Sequence, residues 1–371
     1  MVDLQSQYEK IKTEIDGAIQ HVIDTTAFIN GPEVSAFKEN LKKYLQVDYL
    51  IPCANGTDAL QIAIMGLGIE PGADIILPAF NYVATAEVIA LLGMRPLFVD
   101  VDPHTFNIDI NKIEEKITPD TKAIMAVHLF GQCADMEKIM AIAKKHNLYV
   151  IEDNAQSIGA EYTFSNGKRE IAGKIGNVGT TSFFPSKNLG CMGDGGAMYT
   201  NDPALAEKIA MMANHGQKKK YTYEIVGVNS RLDTLQAAIL DVKLKYLPQY
   251  IAARQEAAAY YDKALGEMAE IEIPVRSANS THVFHQYTIK VKGSSRDVLQ
   301  KRLATKGIPS MIYYPSPLHL QNAYRAFGYK EGDLPVAEAL SRKVISLPMH
   351  TELDEEQLKY IVENVRESVM G

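Results

Sequence analysis

One lysine in a glycine-rich stretch has the most specific chemistry in this sequence. Lys187 lies within TSFFPSKNLGCMGDGGA, residues 181–197. The alternation of Thr180, Ser182 and Phe184 predicts a strand that ends just before this lysine. Four glycines between 190 and 196 indicate backbone that turns tightly or approaches another group closely. A lysine placed there can face a ligand, although a solvated surface lysine beside a tight hairpin fits the same pattern.

The surroundings of Lys187 favour an uncharged amine. Burial among apolar side chains destabilises an ammonium, and the neutral amine is the form that attacks an aldehyde to make a Schiff base. The sequence therefore predicts a reactive lysine, provided that other segments build a ligand site around it. The apolar neighbours expected to exclude water are Phe183, Phe184, Leu189 and Met192.

A predicted helix start offers a place for a phosphate. The letters ANGTDAL, residues 54–60, follow a short apolar run and lead into a helix that extends to about Leu67. Free amides at a helix N-terminus, together with the Thr57 hydroxyl, attract anions. The competing explanation is that Thr57 or Asp58 only caps the helix.

Two further candidates follow predicted strands. Tyr82 comes just after the run 75–77 and can stack on a flat ring, or it can simply pack the protein interior. Asp153 follows the strand predicted over 148–152 and can pair with a protonated ring nitrogen, or it can cap a helix. Gln156, three residues later, can direct its amide at the same pocket. In α/β sheets ligands bind at the carboxyl ends of the strands, where these residues are predicted to lie.

The order of apolar patterns predicts an α/β fold. Strand-like runs alternate with amphipathic helices through the first 250 residues, which favours a mainly parallel sheet covered on both faces. A length of 371 residues favours two lobes. We therefore predict a large domain over 1–250, with an N-terminal helix, and a linking helix with a smaller α+β domain over 251–371. The smaller domain is predicted to contain a strand over 283–291, a helix over 295–306 and a strand over 311–314.

Composition narrows the class of protein. The formal net charge of −7 argues against a broad nucleic-acid surface. The basic run 218–220 can attract a diphosphate or can be a solvated loop.

Three separated cysteines without CxxC spacing suggest neither a disulfide framework nor a thiolate metal site, which fits a reducing cytoplasm. His282 and His285 have HxxH spacing, but their neighbours predict a strand, so zinc is not expected. The absence of a signal-type segment or a long apolar run predicts a protein that is neither secreted nor membrane-spanning.

These candidates together match the needs of one cofactor. A phosphate cradle, a stacking aromatic, an acid for a ring nitrogen and a Schiff-base lysine are what pyridoxal phosphate (PLP) requires. A nicotinamide-binding α/β protein is the alternative, but GxGxxG does not follow a strand near the start of the chain.

The sequence resembles the DegT/DnrJ/EryC1/StrS family of sugar aminotransferases, within the fold-type-I aspartate aminotransferase superfamily. The resemblance extends over nearly the whole chain, and its most specific motifs are ANGTDAL, EDNAQSIGA, SFFPSKNLGCMGDGGA and GVNSRLDTLQAA. Family relatives that act as dehydratases carry histidine in place of the lysine. The presence of Lys187 therefore favours amino transfer.

The resemblance implies a role for each candidate residue. Lys187 is expected to hold the cofactor and carry protons, Asp153 to pair with the pyridine nitrogen, and Gln156 to contact the ring hydroxyl side. Tyr82 is expected to stack on the ring. Asn229 is expected to reach the phosphate of the neighbouring subunit, which implies a homodimer with shared active sites. The remaining expectations are a phosphate site of Gly56, Thr57 and Ser182 and a sugar pocket that includes Arg231, Tyr314 and His319.

The resemblance also implies a reaction. Glutamate would convert the cofactor to pyridoxamine phosphate (PMP), which would aminate a keto group of a nucleotide-linked sugar. The run FFPSKNLGC is most similar to enzymes that aminate C3 of UDP-2-acetamido-3-keto-glucuronic acid, in cytoplasmic steps of surface polysaccharide or lipopolysaccharide biosynthesis. Enzymes that aminate a C4-keto sugar or a dTDP-3-keto sugar share the catalytic residues. An alternative of a different class is a PLP-binding regulatory protein without turnover.

Overall fold

A seven-stranded sheet occupies the centre of the first part of the chain. The computed structural model describes residues 1–292 and 296–370. The strands in chain order, including the small hairpin β6–β7 outside the main sheet, are β1 (Tyr49–Cys53), β2 (Asp74–Pro78), β3 (Arg95–Val99), β4 (Thr121–Val127), β5 (Tyr149–Asp153), β6 (Glu161–Thr163), β7 (Arg169–Ile171), β8 (Val178–Ser182) and β9 (Gly196–Thr200). The order across the sheet is β1-β9-β8-β5-β4-β2-β3, so β5 is central.

Most neighbouring strands in this sheet are parallel, as predicted. The pairs β2–β3, β2–β4, β4–β5 and β5–β8 are parallel, whereas β9 pairs antiparallel with both β8 and β1. Strand β2 is buried along its whole length, as expected for a strand covered on both faces. The parallel arrangement brings the carboxyl ends of β2, β4, β5 and β8 to one edge.

Helices cover the sheet where the sequence pattern predicted them. In α1 the buried residues Ile11, Ile15 and Val22 recur at helical spacing, and in α5 the Asp135 side chain caps the first turn. A second small hairpin, β10 (Gln217–Lys219) with β11 (Thr222–Tyr223), contains most of the basic run. The helices of this part are α1 (Leu4–Thr25), α2 (Pro32–Leu45), α3 (Gly56–Gly66), α4 (Ala84–Leu91), α5 (Met136–His146), α6 (Pro203–Ala213), α7 (Thr234–Leu244) and α8 (Leu247–Leu265).

The C-terminal part is a smaller α+β unit with its own apolar core. The core includes Tyr261 of α8, Tyr287 and Leu347. Residues 318–344 behave differently, because Leu318, Tyr324 and other side chains there join the core of the large sheet. The elements of this part are β12 (Ile271–Glu272), β13 (Tyr287–Val291), α9 (Arg296–Thr305), α10 (Pro335–Lys343), β14 (Val344–Leu347) and α11 (Glu355–Met370).

Three predictions for local structure need correction. The helix predicted over 110–117 is two short 3-10 turns, Ile110–Lys112 and Glu114–Lys116. Ile113 is the one buried residue of this segment, so a continuous helix would have little apolar surface to pack. The strand predicted over 311–314 is reduced to a single bridge between Met311 and Ser346. The strand predicted from 283 begins only at Tyr287. Ser295, the predicted first residue of α9, and Gly371 lie outside the described residues.

Within residues 1–292 and 296–370, the helices are all too short or too polar to cross a membrane.

Candidate active site

The central strand and its neighbour place an acid close to the glycine-rich loop. Asp153 is the last residue of β5, and Ser182 is the last residue of the adjacent strand β8. Lys187 follows five residues later in the chain. Since β5 and β8 are parallel, their carboxyl ends meet at the same edge of the sheet. The sequence prediction that Asp153 and Lys187 share one edge therefore has a structural basis.

Backbone hydrogen bonds close the loop that carries Lys187. Phe183 N donates to Gly195 O at 2.7 Å, and Cys191 N donates to Phe183 O at 2.8 Å. Gly190 makes the closure possible, because a Cβ there would lie 2.3 Å from the carbonyl oxygen of Pro185. The glycines are thus used for close backbone approach, as their density indicated.

Only two of the four apolar side chains that were expected to exclude water from Lys187 are buried in the single chain. Phe183 and Leu189 are fully buried, but Phe184 and Met192 are 52% and 41% exposed. The expectation that all four exclude water is therefore wrong for one chain. Phe184 and Met192 instead present apolar surface beside the site.

The charges of Asp153 and Lys187 influence each other. Part of the Lys187 side chain is exposed, but burial lowers the pKa of its amine to about 8, and the Asp153 carboxylate opposes this shift. Asp153 is 7% exposed, and burial raises the pKa of its carboxyl group. A hydrogen bond of 3.0 Å from Ala155 N and the Lys187 charge act in the opposite direction. The two groups therefore occupy one electrostatic environment, in which the amine is readily neutral.

The start of α3 lies directly against the end of β8. A Cβ on Gly56 would come within 2.6 Å of Ser182 Cβ and 3.1 Å of Ser182 Oγ. The cap of α3 is Asn55, whose side chain accepts from Asp58 N at 2.8 Å, so this task does not fall to Thr57. The start of α3, which carries Thr57, and the Ser182 hydroxyl therefore lie together, and a helix N-terminus of this kind suits a phosphate.

Tyr82, Gln156 and Tyr314 lie together near Asp153. The rings of Tyr82 and Tyr314 have centroids 6.5 Å apart, and Tyr82 is 57% exposed. Gln156 Nε2 donates to the Tyr314 hydroxyl at 3.1 Å. Gln156 Oε1 accepts from Phe130 N at 2.8 Å. The structure thus joins a predicted sugar-pocket residue to two predicted cofactor contacts.

Asn229 and Arg231 flank a residue that is tied to the start of α3. The Ser230 hydroxyl accepts from Ala54 N at 3.0 Å and donates to Asp58 Oδ2 at 2.6 Å. Asn229 is exposed and Arg231 is partly buried. The backbone that carries both residues is consequently held close to the start of α3.

His319 is not brought to an exposed position. Its side chain is fully buried, and Nε2 lies 3.1 Å from Glu338 Oε1. The backbone of its neighbour Leu318 donates to Ala79 O at 2.8 Å. His319 thus underlies the segment that follows β2, and direct contact with a sugar remains a prediction.

Sequence reasoning missed a buried carboxylate next to Asp153. Glu152 is fully buried and accepts from His128 Nε2 at 2.8 Å and from the backbone amides of Gly173, Ile175 and Gly176 at 2.9, 2.6 and 2.5 Å. Four donors hold this anion on the side of β5 opposite to Asp153. An acidic residue inside an otherwise apolar strand was the available signal.

A large surface cavity lies elsewhere. It measures about 470 Å³ and is lined by residues such as Tyr149 and Asn177, at the amino ends of β5 and β8. Its position is opposite to the edge that holds Asp153. The candidate site is therefore defined by its chemistry and not by cavity size.

The residues present fit PLP. Asp153 is a buried carboxylate without a salt bridge to another described residue, so a protonated ring nitrogen would supply the missing positive charge. Lys187 offers an amine that is easily neutral, and the contact between Gly56 and Ser182 shapes a donor group at the right kind of helix terminus.

Comparison with known proteins agrees with this arrangement. The sequence profile described as the DegT/DnrJ/EryC1/StrS aminotransferase family matches residues 9–366. The chain is 48% identical to the UDP-2-acetamido-2-deoxy-3-oxo-D-glucuronate aminotransferase of Pseudomonas aeruginosa, over 97% of each chain. It is 47% identical to a pleiotropic regulatory protein of Geobacillus stearothermophilus, over 99% of this chain and 97% of the other. The crystal structure of NtdA from Bacillus subtilis with bound PMP is 34% identical and superposes with a TM-score of 0.89, over 98% of this chain and 82% of the other.

Proposed function

Because this chain belongs to the DegT/DnrJ/EryC1/StrS aminotransferase family, we propose that it transfers an amino group to a keto group of a nucleotide-linked sugar, with PLP as its cofactor. One observation carries the proposal. Lys187, in the loop after β8, and the buried carboxylate of Asp153, at the end of β5, lie at the same edge of the sheet, and burial lowers the pKa of the lysine amine to about 8. This pair is the minimal equipment for PLP-dependent amino transfer.

The residues of this chain would hold the cofactor at three points. When bound, PLP supplies an aldehyde that a lysine amine can hold and a protonated ring that draws electrons from the reacting carbon. Gly56, Thr57 and Ser182 would bind the phosphate. Asp153 would keep the ring nitrogen protonated, since a buried anion stabilises an adjacent cation. Tyr82 would stack on the ring and Gln156 would contact its hydroxyl side.

Lys187 would be the group that moves protons at the reacting carbon. Its amine is close to the balance between charged and neutral forms at physiological pH, which suits both proton removal and proton delivery. Asp153 opposes the effect of burial on Lys187, so the amine is not locked in the neutral form. General acid–base help of this kind contributes about 10²- to 10⁴-fold to a rate.

The finer substrate is proposed to be UDP-2-acetamido-3-keto-glucuronate, aminated at C3, with glutamate as donor. The 48% identity to an aminotransferase of that name supports this choice. Arg231 is our candidate for the uronate carboxylate, because its planar guanidinium suits that group.

We also propose a homodimer in which Asn229 reaches the phosphate bound by the neighbouring subunit. We further propose a domain boundary near residue 250 and a cytoplasmic role in surface polysaccharide or lipopolysaccharide biosynthesis. The exposed Phe184 and Met192 support a shared interface beside the site.

A substrate panel tests the proposal. Purified protein loaded with PMP is mixed with UDP-3-keto-uronate, a dTDP-3-keto sugar or a C4-keto sugar, and amino sugar is measured by mass spectrometry. We expect the uronate to be converted fastest and the Lys187→Ala variant to convert none. Arg231→Ala should lose the uronate far more than the neutral sugars. Equal loss for all sugars would remove the role of Arg231, and turnover by Lys187→Ala would refute the lysine assignment.

A regulatory role without turnover is the second candidate. The 47% identity to a protein named as a pleiotropic regulator favours it. The two readings differ in one result: a catalyst aminates a sugar with many turnovers per cofactor when glutamate is supplied. A protein that binds PLP but converts less than one equivalent of each sugar would support the regulatory role.

A further inference from the structure

One buried histidine, on a segment bound to the Lys187 loop, has a ring nitrogen without a partner among the described residues. His285 is 6% exposed, and its Nδ1 makes no hydrogen bond to the described residues. His285 lies two residues after Val283, whose carbonyl accepts from the side chain of Asn188, the residue that follows Lys187, so His285 belongs to a segment bound to the lysine loop. A buried polar atom left unpaired is costly and therefore indicates a partner that is absent or has moved.

The segment around His285 is fixed between the two catalytic elements. Val283 N donates to Gly131 O at 2.9 Å, and Asn188 Nδ2 donates to Val283 O at 2.9 Å. Asn188 follows Lys187 directly in the chain. Gly131 lies four residues after the end of β4, where Val127 pairs with Asp153. His285 thus lies on a segment bound to both the lysine loop and the carboxylate edge.

The backbone before His285 adopts a conformation that needs support. Phe284 has φ 46°, a left-handed value that is unusual for a bulky residue. Arg254 of α8 holds this bend, donating from its guanidinium to the carbonyls of Phe284 at 3.1 Å, His285 at 3.4 Å and Met349 at 3.1 Å. Strain that is supported in this way is found preferentially at functional sites.

The charges around His285 keep its ring neutral. Burial, Lys187 of the glycine-rich loop and Arg254 of α8 all lower its pKa well below the usual range. The acidic group that acts on Lys187 is Asp153 of β5. Gln286 Nε2 lies 3.5 Å from His285 Nε2, and an amide nitrogen only donates, so the ring proton is assigned to Nδ1. The unpartnered nitrogen is therefore a donor, N–H.

We propose that His285 is a positioning residue for Lys187, whose Nδ1–H donates to the free amine and stabilises it as the neutral base. An ammonium has no lone pair, so this hydrogen bond exists only with the neutral amine. Lysine has a flexible four-carbon stem, whereas the His285 backbone is fixed, so the lysine is the partner that moves into contact. The inference rests on the proposed function, because it takes Lys187 to be the lysine that holds the cofactor.

Three variants separate a hydrogen bond from a general effect of packing. His285→Leu removes the donor, and His285→Asn places an amide N–H near the same position. The matched control is His282→Leu, because His282 is also buried and lies in the same segment, but its Nδ1 accepts from Phe284 N at 3.0 Å. Full-length protein freed of cofactor is mixed with PLP across neutral to alkaline pH, and the rate at which visible absorbance returns gives the pKa of the Lys187 amine.

The expected result has a defined direction. We expect His285→Leu to raise the midpoint of this profile by about one pH unit, while His285→Asn and His282→Leu stay close to the parent. Burial alone predicts the opposite, because leucine makes the site less polar and lowers the midpoint. An unchanged or lowered midpoint in folded His285→Leu would overturn the proposal. If that variant does not fold, His285→Phe provides the same test. Undiminished absorbance in Lys187→Ala would contradict the proposed function instead.

Discussion

Gln156 Nε2 donates to the Tyr314 hydroxyl across 3.1 Å, between residues 158 positions apart in the chain. Gln156 lies three residues after Asp153, at the carboxyl end of the central strand. Tyr314 comes from the C-terminal part of the chain. The bond therefore closes the site with a residue from outside the large sheet, and it ties the candidate sugar pocket to the candidate cofactor contacts.

Tyr314→Phe should weaken the site more than the fold. The change leaves Gln156 Nε2 without its acceptor, and a neutral hydrogen bond contributes about 0.5–1.5 kcal/mol. We expect the free energy of unfolding to fall by about that amount and KM for the nucleotide sugar to rise. Denaturant titration and steady-state kinetics measure the two effects. Tyr324→Phe, at a buried tyrosine whose ring packs against Phe98 of β3, is the control and should leave KM unchanged.

Gly56→Ala should impair cofactor binding. The new methyl group would meet Ser182 Cβ at 2.6 Å, and this contact cannot be relieved without moving β8 or the start of α3. Overpacking of this kind costs about 1–3 kcal/mol, so PLP affinity should fall roughly tenfold or more. Gly17→Ala in α1, where a Cβ meets no atom within 4 Å, should keep the parent affinity and stabilise the protein by about 0.5–1 kcal/mol. Equal PLP affinities for both variants would argue against a phosphate site at Gly56.

Substitutions of the adjacent carboxylates Glu152 and Asp153 should have different effects, the first on stability and the second on turnover. Glu152→Gln replaces one acceptor oxygen with an NH2 donor that faces backbone N–H donors, and we expect about 3 kcal/mol or more of lost stability. Asp153→Asn keeps an oxygen for Ala155 N but loses the charge, so the fold should persist while kcat falls about 10²- to 10³-fold. Thermal unfolding and kinetics distinguish the two. An Asp153→Asn protein that retains full turnover would contradict the assigned role.

Lys187→Met should stabilise the cofactor-free protein in a pH-dependent manner. Folding lowers the pKa of Lys187 from 10.5 to about 8, so between these values the unfolded chain binds more protons and parent stability rises with pH. The penalty is fully present below the shifted pKa and disappears above the ordinary one. We expect the variant to be more stable by about 1–3 kcal/mol at neutral pH, with the difference vanishing in strong alkali. A constant difference across that range would mean that Lys187 is not desolvated.

The sequence was sufficient to predict those features that depend on local pattern and on position at the end of a strand. Asp153 lies at a strand end because a short apolar run before it is buried on both faces, and Lys187 follows a strand whose end is marked by glycine-rich letters. The mainly parallel sheet follows from the alternation of strands and helices. The fold class, the family and the cofactor predicted from the motifs are confirmed.

Local sequence pattern did not predict the contacts between segments that are distant in the chain. Met311 to Tyr314 are a short apolar and aromatic run typical of a strand, but Tyr314 hydrogen-bonds with Gln156, and pairing stops after Met311. His319 lies between Leu318 and Leu320, and only the structure shows that its side chain is fully buried, with Nε2 3.1 Å from Glu338 Oε1. For His285 the sequence raises only the question of a metal, because its segment reaches the lysine loop through bonds of Val283 with Asn188 and Gly131 that no spacing in the sequence reveals.

The most direct test of the account is to find which lysine holds the cofactor. The full-length protein is loaded with PLP, treated with borohydride to fix the cofactor covalently, digested and analysed by mass spectrometry. The account predicts a single modified peptide that contains Lys187, and its loss in Lys187→Ala. Modification of a different lysine, or a protein that binds PLP without any covalent label, would contradict it.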